Sequence, residues 1–362
     1  MSVSRTILKT YRKFQYTMCR RSHYGVMQPG QHVSVEPFRY ELNHSDVVHP
    51  CVRYIADGYL GHTWWLVYTP YYHSDASLEQ PVLCYADGND AEIPPMEWKT
   101  YCLVNDKIEG GYNSDPNLLF TGGVLYVYWR ENYDDQKDSH FRATYVAKVT
   151  QTGIKKIGNT PVVWTDDSEV DAETCPTFMS SFSIKDSFTC YAMHLRFHSK
   201  HIKRMRQPWR RLTEKAVLVS DLIGLYSQQK HYGIAEWEGD APDRPFRYVK
   251  TVRFRNCNTL YRPWHMDFFD YSDRRYAIVQ TNMSNADLCL AESTDGNTFT
   301  FFRRPLITNK TIGKVGIYKP CAGVTPKGMF YLYYTAQDLN NRSQNRLYLT
   351  QMPFTELIEK IK

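Results

Sequence analysis

A three-part unit recurs five times along the chain and restricts the folds open to it: a polar head beside a proline, an aromatic strand-forming run, then a third such run. The first copy has His49-Pro50, WWLVYTP (64–70) and PVLCYADGND (81–90). The second has SDPNLLF (114–120), LYVYWRE (125–131) and ATYVAKVTQTG (143–153). The third has ETCPTFM (173–179), FTCYAMHL (188–195) and, after an interruption, YGIAEWEGD (232–240). The fourth has RPWHMDFFD (262–270), RYAIVQTN (275–282) and DLCLAESTDGNTFTFF (287–302), and the fifth GIYKPCAGV (316–324), MFYLYYTA (329–336) and NRLYLTQM (345–352). Pro50, Pro116, Pro176, Pro263 and Pro320 mark the heads at intervals of 66, 60, 87 and 57 residues, each with room for about four strands, the content of one propeller blade.

The pattern predicts an all-β, five-bladed β-propeller over residues 43–352, preceded by a basic segment (1–42) and followed by a short helix (353–362). Asp-Gly pairs at 87–88 and 295–296 supply the positive φ of a hairpin, so they are expected to join the third and fourth strands of blades one and four. The run VSVEPFRYEL (33–42) is expected to pair with the last blade and close the ring, because an open ring would expose two strand edges. YVKTVRFR (248–255) reads as the outer strand of blade three. Within that blade RFHSKHIKRMRQPWRRLTEK (196–215) is a basic insertion, and EKAVLVSDLIGLYSQ (214–228) has a helical spacing.

Aromatic residues make up 15% of the chain, 28 of them Tyr, which favours strands and surfaces that stack on ligands. A net charge of +6 is too small for a dedicated nucleic-acid binder. Nine cysteines form no CxxC pair and sit mostly in apolar runs, so they read as reduced, buried thiols, and neither a metal site nor a cofactor is expected. No apolar span reaches membrane or signal-peptide length, which predicts a cytoplasmic or virion-associated protein without a membrane partner. The absence of a Gly-rich nucleotide loop, of HExxH and of GxSxG removes support for kinase, metalloprotease and serine hydrolase chemistry.

In a propeller the innermost strand of each blade lines the central channel, so its head residue faces a common funnel. That brings together His49, Asp115, Glu173, His265 and Tyr318, with Asp267 and Arg130 as further polar contacts. Apolar residues would fill a purely structural channel better, so convergent polar heads point to a polar ligand. Tyr71, Tyr72, Tyr112, Trp129 and Trp264 would offer aromatic faces to it.

The chain resembles the five-bladed propeller glycoside hydrolases of families 43, 32 and 68 and their relatives. The resemblance rests on Ser114-Asp115-Pro116, on Glu173-Thr174-Cys175-Pro176, on the ADGND and STDGNTF hairpins and on the polar heads. It implies Asp115 as the carboxylate that tunes and orients and Glu173 as the general acid. Where the family has an Asp before the blade-one proline this chain has His49, and Asp46 and Glu79 are the nearest acids that could serve as base. The expected function is therefore carboxylate acid/base hydrolysis of an oligosaccharide or polysaccharide, acidic if the basic insertion overhangs the funnel. A non-catalytic glycan-binding propeller, for example of a phage particle or a polysaccharide locus, is the alternative.

Overall fold

The computed structural model describes residues 24–38, 45–72, 75–87, 93–106, 108–134, 140–158, 160–166, 178–184, 188–195, 232–256, 263–281, 287–338 and 341–362. The chain enters through β1 (Gln31–His32) and β2 (Ser34–Val35). Blade one is β3 (Val47–Tyr59), β4 (His62–Pro70), β5 (Val82–Ala86) and β6 (Glu97–Leu103). Blade two is β7 (Gly111–Thr121), β8 (Val124–Asp134) and β9 (His140–Thr150), with β10 (Gly153–Lys156) and β11 (Val163–Asp166) both paired to β9. Blade three is β12 (Phe178–Ile184), β13 (Phe188–Leu195), β14 (Tyr232–Gly239) and β15 (Arg247–Thr251). Blade four has β16 (Arg253–Arg255) on its outer edge and β17 (Pro263–Tyr271), β18 (Arg274–Thr281), β19 (Asp287–Ser293) and β20 (Thr298–Phe301). After a one-turn helix α1 (Asn309–Ile312), β21 (Lys314–Val324), β22 (Met329–Asp338) and β23 (Asn341–Pro353) form blade five, and α2 (Phe354–Ile361) ends the chain. The expected five-bladed β-propeller is the fold observed.

Period-two alternation on the second strands explains how the blades pack. On β4, Trp64, Leu66 and Tyr68 face blade five while Trp65 and Val67 face blade two. On β8, Leu125, Val127 and Trp129 face blade one while Tyr126 and Tyr128 face blade three, and β18 and β22 divide likewise. Each such strand is buried on both faces and reads as a continuous apolar run, because there is one apolar cluster for each of the seams between blades. Phe354, Leu357 and Ile361 dock α2 on the cluster between blades four and five.

Two segments depart from expectation at the outer edges. Instead of pairing wholly with the last blade, the N-terminal segment clips two blades: β1 runs antiparallel to β23 and β2 runs parallel to β6. Val33 donates to Leu347 O at 2.9 Å and Ser34 to Met96 O at 2.8 Å, so one short strap satisfies two exposed edges across the ring-closing seam. Residues 248–255 likewise do not stay in blade three. β15 is that blade's outer strand, but β16 crosses to pair in parallel with β20. The Asp295-Gly296 turn forms as expected, Gly296 having φ 66 and Asp295 Oδ1 accepting from Asn297 and Thr298 N–H. The joint after Asp87 is longer, since β6 begins only at Glu97. The basic insertion 196–215 and the run 214–228 lie outside the described residues.

Candidate functional site

Three innermost strands build their heads by one device. His49-Pro50, Asp115-Pro116 and Lys319-Pro320 each fall inside a register shift, between Val48 and Cys51 on β3, Ser114 and Asn117 on β7, and Tyr318 and Cys321 on β21. The residue before each proline has positive φ, 52 at His49, 48 at Asp115 and 25 at Lys319. A proline cannot donate to the ladder, and a non-glycine residue at positive φ costs about 1–3 kcal/mol, so each bulge trades local stability for a side chain held at the channel head.

These side chains meet. His49 Nε2 lies 3.0 Å from Asp115 Oδ1 and 3.3 Å from the Tyr318 hydroxyl. Arg130 Nη2 donates to Asp115 Oδ2 and, at 3.1 Å, to Ser114 Oγ, which also accepts from Asn132 Nδ2 at 3.0 Å. The rings of His49, His265 and Tyr318 pack with centroids 4.9 to 5.7 Å apart. Lys319, 1% exposed, crosses from blade five to give its Nζ to Pro116 O at 3.2 Å, while its backbone N–H is held by Gln280 Oε1 at 2.7 Å.

The electrostatics separate the groups by role. Burial would raise the Asp115 carboxyl, but Arg130, His49 and Lys319 outweigh it and hold it well below the usual carboxylate range. Burial, aided by the cations Lys319 and Arg130 against the pull of Asp115, lowers His49 to about 4, and burial lowers His265 well below the ordinary imidazole value. Both imidazoles are therefore neutral near pH 7. His49 Nδ1 and Asp115 Oδ1 are both buried with no hydrogen-bond partner among the described residues, so the approach of His49 Nε2 to that oxygen is an electrostatic contact, and the ring hydrogen-bonds with the Tyr318 hydroxyl.

Glu79 behaves in the opposite way to Asp115. It follows a 3-10 turn at Ala76–Leu78, and its carbonyl accepts from Asn113 N–H at 3.3 Å, which ties it to the head of β7. Burial and the neighbouring Asp115 charge push its carboxyl well above the usual range, although Arg130 opposes this. Its Oε2 is buried with no hydrogen-bond partner among the described residues.

The remaining candidates are distributed around this centre. Asp46 stands just ahead of β3 at φ 44, and its Oδ1 accepts from Asn345 N and Nδ2, both at 2.9 Å, a clamp between blades one and five. Tyr71 shares the surroundings of Glu79, Asp75 and Asp46, which, after burial, raise its phenol. Asp267 is bound at both oxygens by Arg53, at 2.9 and 3.1 Å, and accepts from Ala322 N–H, so it braces blades one, four and five. Tyr112 is half-buried, whereas Tyr72 and Trp129 are buried in the packing between strands. Trp264 falls at the bulge of β17. Glu173 lies outside the described residues. Lys319, Asn132 and Gln280 join the site without having been singled out in the sequence; for Lys319 the available signal was the KP dipeptide in register with HP and DP.

His49, Asp115 and His265 each place a ligand atom within 4.8 Å of the others. Two neutral imidazoles and one ionised carboxylate are a donor set for divalent ions. Its members come from three blades and so leave no local spacing along the chain.

No family model and no curated protein matches the sequence. Solved structures match it in fold. An N-acetylgalactosamine deacetylase from F. plautii, solved with blood group B trisaccharide, is 14% identical with a TM-score of 0.60 over 94% of this chain and 98% of that one. A GH43_1 enzyme from Xanthomonas citri, complexed with xylotriose, is 9% identical with a TM-score of 0.53 over 93% and 92%. A family 117 glycoside hydrolase from Zobellia galactanivorans is 12% identical with a TM-score of 0.53 over 91% and 90%. The chain thus has the five-bladed propeller fold of these carbohydrate-active enzymes.

Proposed function

We propose that the chain is a carbohydrate-active hydrolase whose funnel holds a divalent ion between His49, Asp115 and His265 and removes an acyl substituent from a sugar. The observation that carries this reading is the approach of those three ligand atoms to within 4.8 Å. His49, the residue that breaks the glycosidase pattern in blade one, is the one that completes the set. Bound there, an ion would polarise a scissile carbonyl and acidify a water. Glu79, kept protonated by burial and by Asp115, is suited to give a proton to the leaving atom. Arg130 and Lys319 keep Asp115 ionised, and Tyr318 and Tyr71 offer hydroxyls and ring faces to a sugar. The similar deacetylase supports the substituent reading through its fold and its name alone.

A second reading, hydrolysis of a glycosidic bond, is favoured by the divergence of two buried carboxyls on one funnel, Asp115 held ionised and Glu79 protonated. In that mechanism Glu173 would be the general acid, as the family resemblance implies.

The test incubates the protein with acylated and non-acylated oligosaccharides and measures released acid and new reducing ends. Acid release that falls by about 10²-fold or more in Glu79→Gln, stops with a chelator and returns with Mn²⁺ or Zn²⁺ is the expected result. New reducing ends unaffected by the chelator would favour glycosidic cleavage instead. Glycan binding without either product would leave a binding propeller, and neither binding nor product would end the carbohydrate reading.

A further inference from the structure

The peptide between Tyr318 and Lys319 is held at both of its polar groups, by neighbours on two blades. Its carbonyl accepts from Thr335 Oγ1 at 3.1 Å, on β22 of blade five. Its N–H donates to Gln280 Oε1 at 2.7 Å, on β18 of blade four. Thr335 and Gln280 are both fully buried, so water does not compete for either bond. The clamp falls inside the register shift of β21, where Lys319 takes φ 25, a conformation that persists only when its surroundings over-determine it.

All three residues of the ion site lie one step from this peptide. The Tyr318 hydroxyl is 3.3 Å from His49 Nε2. Lys319 Nζ donates to Pro116 O at 3.2 Å, the carbonyl next to Asp115, inside the register shift of β7 where the ladder is interrupted. Gln280 stands directly opposite His265 across β17 and β18 and shares its face of the sheet. Blades one, two and four therefore bring their ligands against one point on blade five. Lys319 is 1% exposed, and a methionine would fill much the same volume without the cost of desolvating an ammonium. Packing alone gives no reason for a charge there, whereas a charged donor that grips the Pro116 carbonyl does.

We infer that Lys319 is a positioning residue: pinned through its backbone by Gln280, it sets Asp115 and His49 at the spacing that the divalent-ion reading above requires, and the inference rests on that reading. Two effects of its side chain have opposite signs. An ammonium near a divalent ion repels it, so if Lys319 acted only as a charge, its removal would tighten the ion. If it acts by position, its removal loosens the Asp115 bulge and weakens the ion, by about 10- to 100-fold, as for other residues that orient metal ligands.

The experiment uses the full chain. Mn²⁺ affinity is measured by calorimetry on wild type and Lys319→Met. Imidazole nitrogen NMR spectra of metal-free protein are compared between wild type and Gln280→Leu, the His49 signal being identified by its loss in His49→Ala. Mn²⁺ binding is expected to weaken about tenfold or more in Lys319→Met. The His49 signal is expected to move in Gln280→Leu, which exchanges one neutral side chain for another on a different blade. Equal or tighter Mn²⁺ binding in Lys319→Met would overturn the inference, and so would an unmoved His49 signal. If the wild type binds no Mn²⁺, the divalent-ion reading fails and the His49 signal alone decides whether the Tyr318–Lys319 clamp positions that ring; if Gln280→Leu does not fold, the Mn²⁺ comparison decides.

Discussion

At the scale of single residues, the site is organised by how each side chain's charge is settled after leaving water. Asp115 is 3% exposed and would protonate if it stood alone, yet Arg130, His49 and Lys319 keep it ionised. Replacing Arg130 by Met is therefore expected to leave an uncompensated buried carboxylate and to cost about 3–5 kcal/mol, read by denaturant unfolding. Adding Asp115→Asn to that variant should recover part of the loss, because the buried carboxylate that Arg130 compensated is then uncharged; a double variant less stable than the single one would refute this view of the pair. Glu79 is the complementary case, with no cation dominating its surroundings, and its raised carboxyl follows from position alone. Of these residues, His49, Asp115, His265 and Tyr318 are legible in the sequence because they sit at the heads of repeated units. Lys319 is not, since a lysine beside a proline reads as a solvated charge until the channel is known to enclose it.

At the scale of elements, the second strand of a blade is the most legible part of the sequence. It must be apolar on both faces, so WWLVY and LYVYW stand out in composition and their odd and even positions go to different seams. Trp65→Ala should therefore disrupt the seam between blades one and two and destabilise the protein by about 3–5 kcal/mol, whereas Val249→Ala, at a side chain 43% exposed, should change it by less than about 0.5 kcal/mol. Equal losses in thermal or denaturant unfolding would contradict the assignment of Trp65 to a seam. The strap was not legible in the same way. β1 and β2 are two residues each, too short for any periodicity, and their partners are chosen by which blade edges need hydrogen bonds. The switch from β15 to β16 is hidden for the same reason, because a strand that passes between blades keeps its propensity while changing its partner.

At the scale of the whole molecule, the ring turns sequence-distant residues into neighbours, and this is why the fold could be read from the repeats while the chemistry could not. Counting heads gives five blades; it does not show that three of the heads approach within ligand distance, because that depends on the bulges turning each residue inward. The expectation of no metal rested on local spacing, and the proximity of His49, Asp115 and His265, which come from different blades, leaves no such signal. The measurement that bears most directly on the central claim is an anomalous difference map from a crystal of the full chain equilibrated with Mn²⁺. The expected result is a single strong peak within coordinating distance of His49, Asp115 and His265, lost in His265→Ala. A map with no peak among those three side chains, at an Mn²⁺ concentration that supports hydrolysis, would contradict the account.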